Sequence, residues 1–410
     1  MRIKRIVLAG IGACVLMASG LSPAAGSGGQ AAERYIVVLK NSAAAGAVAS
    51  LHELTYGLEV GHVYKSALKG YSAIMTPAVA GLVAKLPVVQ WVQADTQVRA
   101  TAQTLPTGID RADADLSPTA QIDGTDQRVD VDVAVIDTGV DLDHADLNVY
   151  RAGGKNCSLL GFILPPDDDN GHGTHVAGTI GALDNSDGVV GMAPGARIWP
   201  VKVLSALGIG FTSDVVCGID YVAANSGQIE VANMSLGGAG SDDGNCGNTS
   251  GDAQHRAICT AVGRGISFVV AAGNDSADAA GSVPAAYDEV ITVSALADFN
   301  GQPGGGAAST CRADGDDTFA DFSNFGADVD LIAPGVCIES TYMQGGYDTL
   351  SGTSMASPHV AGGAALYKAN NPGASPAQVR SALQSAGTLD WNASDDPDGT
   401  KERLLNVAGI

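Results

Sequence analysis

The sequence predicts an α/β fold, a mostly parallel central sheet with helices on both faces, preceded by a small α+β module of ferredoxin-like order. Three observations carry that prediction. Continuous apolar runs at 131–136, 198–204, 231–234, 266–272 and 290–293 alternate with helix-like segments, and strands apolar along their whole length belong to parallel sheets covered on both faces. Ahead of them, residues 34–98 read as strand, helix, strand pair, helix and strand. The 410 residues are 45% hydrophobic and only 16% charged, with 54 glycines. An average soluble domain has roughly 25% charged residues, so the composition excludes a disordered or collagen-like chain.

The elements follow in order. Met1-Arg2-Ile3-Lys4-Arg5 is basic, residues 6–21 are apolar and Ser22-Pro23-Ala24-Ala25 is small, the pattern of a secretory signal peptide over 1–25. Ile11-Gly12-Ala13-Cys14 looks like a lipoprotein box, but the apolar run continues through Val15-Leu16-Met17, so Cys14 reads as part of the signal. No stretch is long enough for a membrane-spanning helix of about 20 residues, and a secreted, soluble, monomeric mature protein is expected. The small module then places a strand at 34–40, a helix at 48–58, a hairpin at 64–75, a helix at 77–86 and a strand at 88–98. Residues 99–108 lack periodicity and read as a linker. No internal repeat is visible.

Charge narrows the partners. The net charge of −22 and pI near 4.4 leave no basic footprint for nucleic acid or an anionic membrane surface. Residues 1–101 hold nine Lys+Arg against four Asp+Glu, and the rest holds 13 against 40. A basic segment could dock on the acidic body, or the two could simply have separate histories. Without Cys14, six cysteines remain: Cys157, Cys217, Cys246, Cys259, Cys311 and Cys337. An even number in an exported chain points to disulfides. Short separations favour Cys246 with Cys259 and Cys311 with Cys337, leaving Cys157 with Cys217, although six cysteines permit 15 pairings. None sits in a Cys-x-x-Cys or His-rich cluster, so no zinc site is expected.

Reactive residues stand between glycines at the ends of elements. Asp137 follows the run 131–136 and precedes Thr138-Gly139, which places its carboxylate at a carboxyl end of the sheet, where α/β proteins build sites. His172 lies where the glycines of Asn170-Gly171-His172-Gly173 give way to a helical pattern, and Ser354 where Gly352-Thr353-Ser354-Met355 does the same. A hydroxyl becomes a nucleophile when an imidazole takes its proton and a carboxylate orients that imidazole. Asn274, closing the run 266–272, offers an amide for a developing oxyanion beside the backbone N–H of Ser354.

Taken together, Asp-Thr-Gly at 137–139, His-Gly-Thr-His-Val-Ala-Gly at 172–178, Asn-Met-Ser-Leu-Gly-Gly at 233–238, Ala-Ala-Gly-Asn at 271–274 and Gly-Thr-Ser-Met-Ala-Ser-Pro-His at 352–359 resemble the blocks of the subtilisin-like serine proteases, the subtilases. The resemblance implies a subtilisin-like catalytic domain over 102–410, with Asp137, His172 and Ser354 as triad and Asn274 in the oxyanion hole. It implies polypeptide substrates bound as an added strand between Gly208-Ile209-Gly210 and Ser235-Leu236-Gly237, with a first pocket between the latter and Ala271-Ala272-Gly273. Asp275 is a candidate for the rim of that pocket, against its reading as a solvated loop residue. His175 and His359 read as packing or capping residues, His359 beginning a helix after Pro358.

A structural Ca²⁺ is implied as well. Leu183-Asp184-Asn185-Ser186-Asp187-Gly188-Val189 resembles the family's tight calcium loop, giving Gln103, Asp146, Leu183, Asn185, Asp187 and Val189 as ligands; oxygen donors in a bent loop suit a hard cation. The acidic runs 167–169 and 395–399 read as exposed loops rather than further sites. The module at 26–101 resembles the inhibitor-type propeptide, an intramolecular inhibitor removed by self-cleavage near Thr101-Ala102. Residues 404–408 resemble the close of the catalytic domain. A silent peptide-binding relative is the main alternative, and a metallohydrolase a distant one.

Overall fold

The computed structural model describes residues 32–95, 103–158 and 164–410. The expected signal peptide, Cys14 and the expected cut near Thr101-Ala102 lie outside the described residues. The chain divides into two compact units, Met1–Ala100 and Thr101–Ile410.

In the first unit β1 (Glu33–Leu39), α1 (Ala45–Tyr56), β2 (Glu59–Tyr64), β3 (Gly70–Met75), α2 (Pro77–Val83) and β4 (Val89–Ala94) follow the predicted order. They form an antiparallel sheet ordered β2-β3-β1-β4. Helix α1 ends earlier than its periodicity predicts because Gly57 turns left-handed, φ 64°, and returns its N–H to Glu53 O. The chain is therefore free to start β2 at Glu59, before the hairpin the sequence predicts. Val37, Leu39, Ala49, Leu58, Tyr71 and Val83 build its core.

The second unit contains α3 (Thr107–Arg111), β5 (Asp132–Asp137), β6 (Lys155–Asn156), α4 (His172–Gly181), β7 (Arg197–Lys202), α5 (Thr212–Ala224), β8 (Val231–Met234) and β9 (Gly238–Ala239). It continues with α6 (Ala253–Val262), β10 (Ser267–Ala271), β11 (Ser282–Val283), β12 (Ile291–Ala297), β13 (Thr318–Phe319), β14 (Leu331–Pro334), β15 (Ile338–Tyr342), β16 (Gly346–Leu350), α7 (Thr353–Asn370) and α8 (Pro376–Ala386). The main sheet runs β13-β12-β10-β8-β5-β7-β6 with β14 beside β12, and every pair but β12–β13 is parallel. Alternate residues reach opposite faces. Val133 and Val135 pack with α4, α7 and α8 through Val176, Ile180, Val360 and Leu383, while Ala134 and Ile136 pack with α5 and α6 through Ile219 and Ile258. Double-sided burial is why these strands read as largely apolar runs, their few polar members such as Asp132, Lys202, Asn233 and Ser267 being buried as well.

One expectation about connections needs correcting. The segment read as a linker to residue 108 is tied down from residue 103 onward: Thr104 donates its N–H to Gly188 O at 2.7 Å and α3 begins at Thr107. Single bridges of this kind leave no periodicity. The two-residue strands of the β9–β11 pair, exposed or half-buried, and the largely exposed β16 of the β15–β16 hairpin also escape the apolar-run signal. The disulfides are Cys157–Cys217, Cys246–Cys259 and Cys311–Cys337, the pairing that short separations favour. By loop closure each is worth on the order of 3–4 kcal/mol.

Candidate active site

The carboxyl ends of β5, β8 and β10 deliver Asp137, Ser235 and the loop to Asn274 to one edge of the sheet, where α4 and α7 begin. Asp137 is fully buried and its Oδ1 lies 2.7 Å from His172 Nδ1, while accepting the Thr138 N–H at 2.7 Å. His172 is the first residue of α4. What fixes that helix start is Asp168. Its Oδ1 accepts the N–H groups of Asn170 and Gly171 at 3.0 and 2.9 Å and the Thr138 hydroxyl at 2.9 Å; its Oδ2 accepts Thr174 N at 2.9 Å and Thr174 Oγ1 at 2.5 Å. A carboxylate at a helix N-terminus satisfies orphan donors and meets the positive end of the dipole. The sequence reading placed 167–169 in an exposed loop. Asp167 and Asp169 are exposed but Asp168 is half-buried, and the signal available was its position four residues before His172. Burial alone would lower the His172 pKa, but the charge and hydrogen bond of Asp137, with the charge of Asp168 beyond, raise it above the usual 6.5.

Ser354 is the second residue of α7, where backbone N–H groups lack intrahelical partners. Its hydroxyl donates to Ser235 O at 3.2 Å, rather than to His172 as a completed Asp-His-Ser chain has it; catalytic hydrogen bonds of this kind commonly tighten only when substrate arrives. Pro358 lies inside α7, not before a helix as the sequence reading had it. Lacking an N–H, it cannot bond Ser354 O four residues back. Ser235 Oγ supplies the missing donor at 2.8 Å and in turn accepts from Asn233 Nδ2 at 3.0 Å, while Asn233 Oδ1 accepts from Ser357 Oγ at 2.7 Å. The proline therefore couples the backbone of the candidate nucleophile to the end of β8.

Asn274 is oriented by accepting Thr353 N at 2.8 Å and Thr353 Oγ1 at 3.0 Å through its Oδ1. The point where a Cβ on Gly352 would sit is 3.6 Å from Asn274 Nδ2 and 3.7 Å from Ser354 N, so both donors flank one patch. The loop is shaped by Asn324, fully buried, which donates to Ala272 O at 3.0 Å and accepts Asp275 N at 2.9 Å and Ala277 N at 3.1 Å. Gly273 has φ 110°, and a Cβ there would meet Asn324 Nδ2 at 2.4 Å, so only glycine fits. Nothing in the sequence alone singled out Asn324.

Two hollows flank the strip 236–239. The first, about 530 Å³, is lined by His172, Gly208, Ile209, Gly210, Ser235 and Leu236. The second, about 450 Å³, is lined by Gly237, Ala271, Ala272, Gly273, Asn274 and Ser354, with Asp275 at its exposed side. The nine residues predicted to hold substrate thus line these two hollows. Gly238 and Ala239 form an edge strand, β9, open to a further strand.

The six predicted cation ligands also come together. The Leu183, Asp187 and Val189 carbonyls lie 2.6, 3.4 and 3.0 Å from one atom, Gln103 Nε2, Gln103 Oε1 accepts Asn185 N at 3.0 Å, and Asn185 Nδ2 donates to Asp146 Oδ1 at 2.7 Å. Three carbonyl oxygens converging on one point, backed by a buried carboxylate, are a donor set that fits a hard cation. Asp187 offers its main chain; its side chain is exposed.

His175 and His359 are buried and neutral. His175 is bonded to Ile338 O at 2.9 Å and His359 to Met355 O at 2.8 Å, and burial brings each pKa down to about 4. His359 sits in mid-helix and packs rather than caps.

Comparison with known proteins bears on the family. The Subtilase family model matches residues 129–407 and the Peptidase inhibitor I9 model residues 34–101. An alkaline protease of Alkalihalobacillus alcalophilus is 39% identical over 302 residues, covering 74% of this chain and 70% of the relative. Subtilisin Savinase of Lederbergia lenta is 40% identical over 287 residues, 70% of this chain and 93% of the relative. The crystal structure of a cold adapted subtilisin-like serine proteinase matches with a TM-score of 0.54 and 35% identity, over 74% of this chain and 98% of that one.

Proposed function

Because this chain belongs to the subtilase family and is a subtilisin-like serine endopeptidase with an inhibitor I9 segment ahead of its catalytic part, we propose that Asp137, His172 and Ser354 are its triad. The observation that carries this reading is the Asp137–His172 contact of 2.7 Å, with His172 lining one and Ser354 the other of two hollows that adjoin along the strip 236–239. In the reaction His172 Nε2 takes the Ser354 proton as Oγ attacks the scissile carbonyl. Asp137, held at Nδ1, stabilises the imidazolium, and Ser354 N and Asn274 Nδ2 receive the oxyanion. His172 then returns the proton to the leaving amine, and water hydrolyses the acyl-enzyme by the same route in reverse order. The substrate lies as an added strand beside β9.

The protein is made as a secreted zymogen over 1–25, 26–101 and 102–410, the middle segment acting as an intramolecular inhibitor until self-cleavage near Thr101-Ala102, and the mature monomer is stabilised by calcium. Gln103 and the five residues around it would hold that ion, tying residues 103–104 to the 183–189 loop. In support of secretion stand the basic-apolar-small leader, the three disulfides and, among the described residues, no helix long and apolar enough to cross a membrane. A fluorophosphonate probe tests the chemistry: labelling at Ser354 in the processed enzyme, absent in Ser354→Ala, is expected, and a processed protein that never labels is the silent peptide-binding relative instead.

A further inference from the structure

The carboxyl-terminal loop 395–399, which the sequence predicts to be exposed, holds, together with Glu402, buried carboxylates with no counter-charge. Thr388 and Leu404 close its base through N–H···O bonds of 2.9 and 3.0 Å. Inside it Asp396 and Glu402 are only 7% and 6% exposed, and with Asp398 they bring carboxylate oxygens within 4.8 Å of one another. Asp396 Oδ2 and both Glu402 oxygens are buried without a hydrogen-bond partner. The neighbouring cations look elsewhere. Lys401 donates to Trp391 O and lies over the Trp391 ring, and Arg403 Nη1 donates to Gly387 O at 2.8 Å. Among the described residues no ion pair reaches Asp396, Asp398 or Glu402. Buried carboxylates in this state are strongly unfavourable unless a proton or a cation joins them.

We propose that Asp396, Asp398 and Glu402 bind a calcium ion, at a site separate from the Gln103 cage. The donors are all carboxylate oxygen, with neither nitrogen nor sulfur, which selects a hard cation. Neither Glu402 oxygen is engaged elsewhere, which leaves open the bidentate grip that calcium uses and magnesium resists, and the 4.8 Å span of the cluster fits inside the roughly 5 Å across a calcium coordination sphere. The ion would clamp the loop over the apolar cluster of Leu296, Phe319, Ile332, Trp391 and Leu404. Periodicity could not show this, because Glu402 lies outside the acidic run and its burial is a tertiary fact.

The test counts calcium on the processed protein blocked at its serine, so it reads no activity and its failure leaves the proposed function standing. Equilibrium dialysis is expected to find one ion fewer in Glu402→Gln and in Asp396→Asn than in the wild type. Terbium supplies an independent reading, because Trp391 Nε1 donates to Glu402 O at 3.0 Å. Excitation of tryptophan should sensitise terbium emission that calcium displaces and equimolar magnesium does not, and Trp391→Phe should remove the emission while keeping the calcium count. Should the buried variants misfold, Asp398→Asn, on an exposed side chain, is expected to weaken the site at least tenfold in a folded protein. A calcium count and affinity unchanged in the folded variants would overturn the proposal and leave a proton shared between Asp396 and Glu402.

Discussion

The two walls of the cleft are built from opposite materials. Around His172 the supports are carboxylates: Asp137 at Nδ1 and Asp168 at the helix start. Around Ser354 they are neutral: the Asn233–Ser235–Ser357 network and the Thr353–Asn274 pair. With the proposed triad, the division follows from what each wall would have to stabilise. An imidazole that becomes a cation is helped by nearby negative charge, whereas donors awaiting an oxyanion would be partly cancelled by it. Charge on one side and dipoles on the other let two opposite charges develop within one cleft.

Breaking the charged wall at its centre should have the largest effect. Asp137→Asn keeps the shape but removes the charge and alters the imidazole tautomer, and a loss of about 10⁴ in kcat is expected, the magnitude known for this change in serine proteases; a loss below tenfold in steady-state kinetics would break the contrast. On the neutral wall Asn274→Ala removes one oxyanion donor. Turnover should fall by about 100- to 1,000-fold with KM little changed, a magnitude established on a subtilisin and carried over to this chain. Ser235→Ala is a smaller perturbation of the same wall. It leaves Ser354 O, already deprived by Pro358, without a donor, and a cost of about 1–3 kcal/mol is expected, read as a lowered denaturation midpoint.

The walls differed in how far the sequence revealed them. The groups proposed to act, Asp137, His172, Asn274 and Ser354, were legible because each sits near a glycine turn, Asp137 and Asn274 at the end of an apolar run and His172 and Ser354 at the start of a helical one, a local pattern. The sheet was legible for a related reason, since burial on both faces writes itself into every strand residue. The groups that position them were not. Asn324 lies 50 residues from Asn274, and Asp168 looked like one member of an acidic loop. Their roles depend on which backbone N–H groups the fold turns toward them, and hydrogen-bond direction has no one-dimensional signature. The hydroxyl of Ser354 shows the same limit from the other side: its place on the helix was foreseeable, but its bond to Ser235 O was not.

Asp168 offers the finest cut between the two walls, because its charge and its hydrogen bonds can be separated by pH. The general base must be neutral, so kcat/KM rises as pH climbs through the His172 pKa, which lies above 6.5. Burial pulls that pKa down, and the charges of Asp137 and then Asp168 push it up. Asp168→Asn withdraws one upward push, so the acid limb of the profile should move to lower pH. The plateau should drop less than tenfold, since an amide keeps the Oδ1 acceptor for Asn170 and Gly171 but turns a donor toward Thr174 N. Linkage gives a second sign to check: a raised His172 pKa stabilises the folded protein below the unfolded value and loses that contribution as pH rises through the folded one. The variant should therefore lose more stability at pH 5 than at pH 8. An acid limb that stays in place, with stability lost equally at both pH values, would reduce Asp168 to a helix cap.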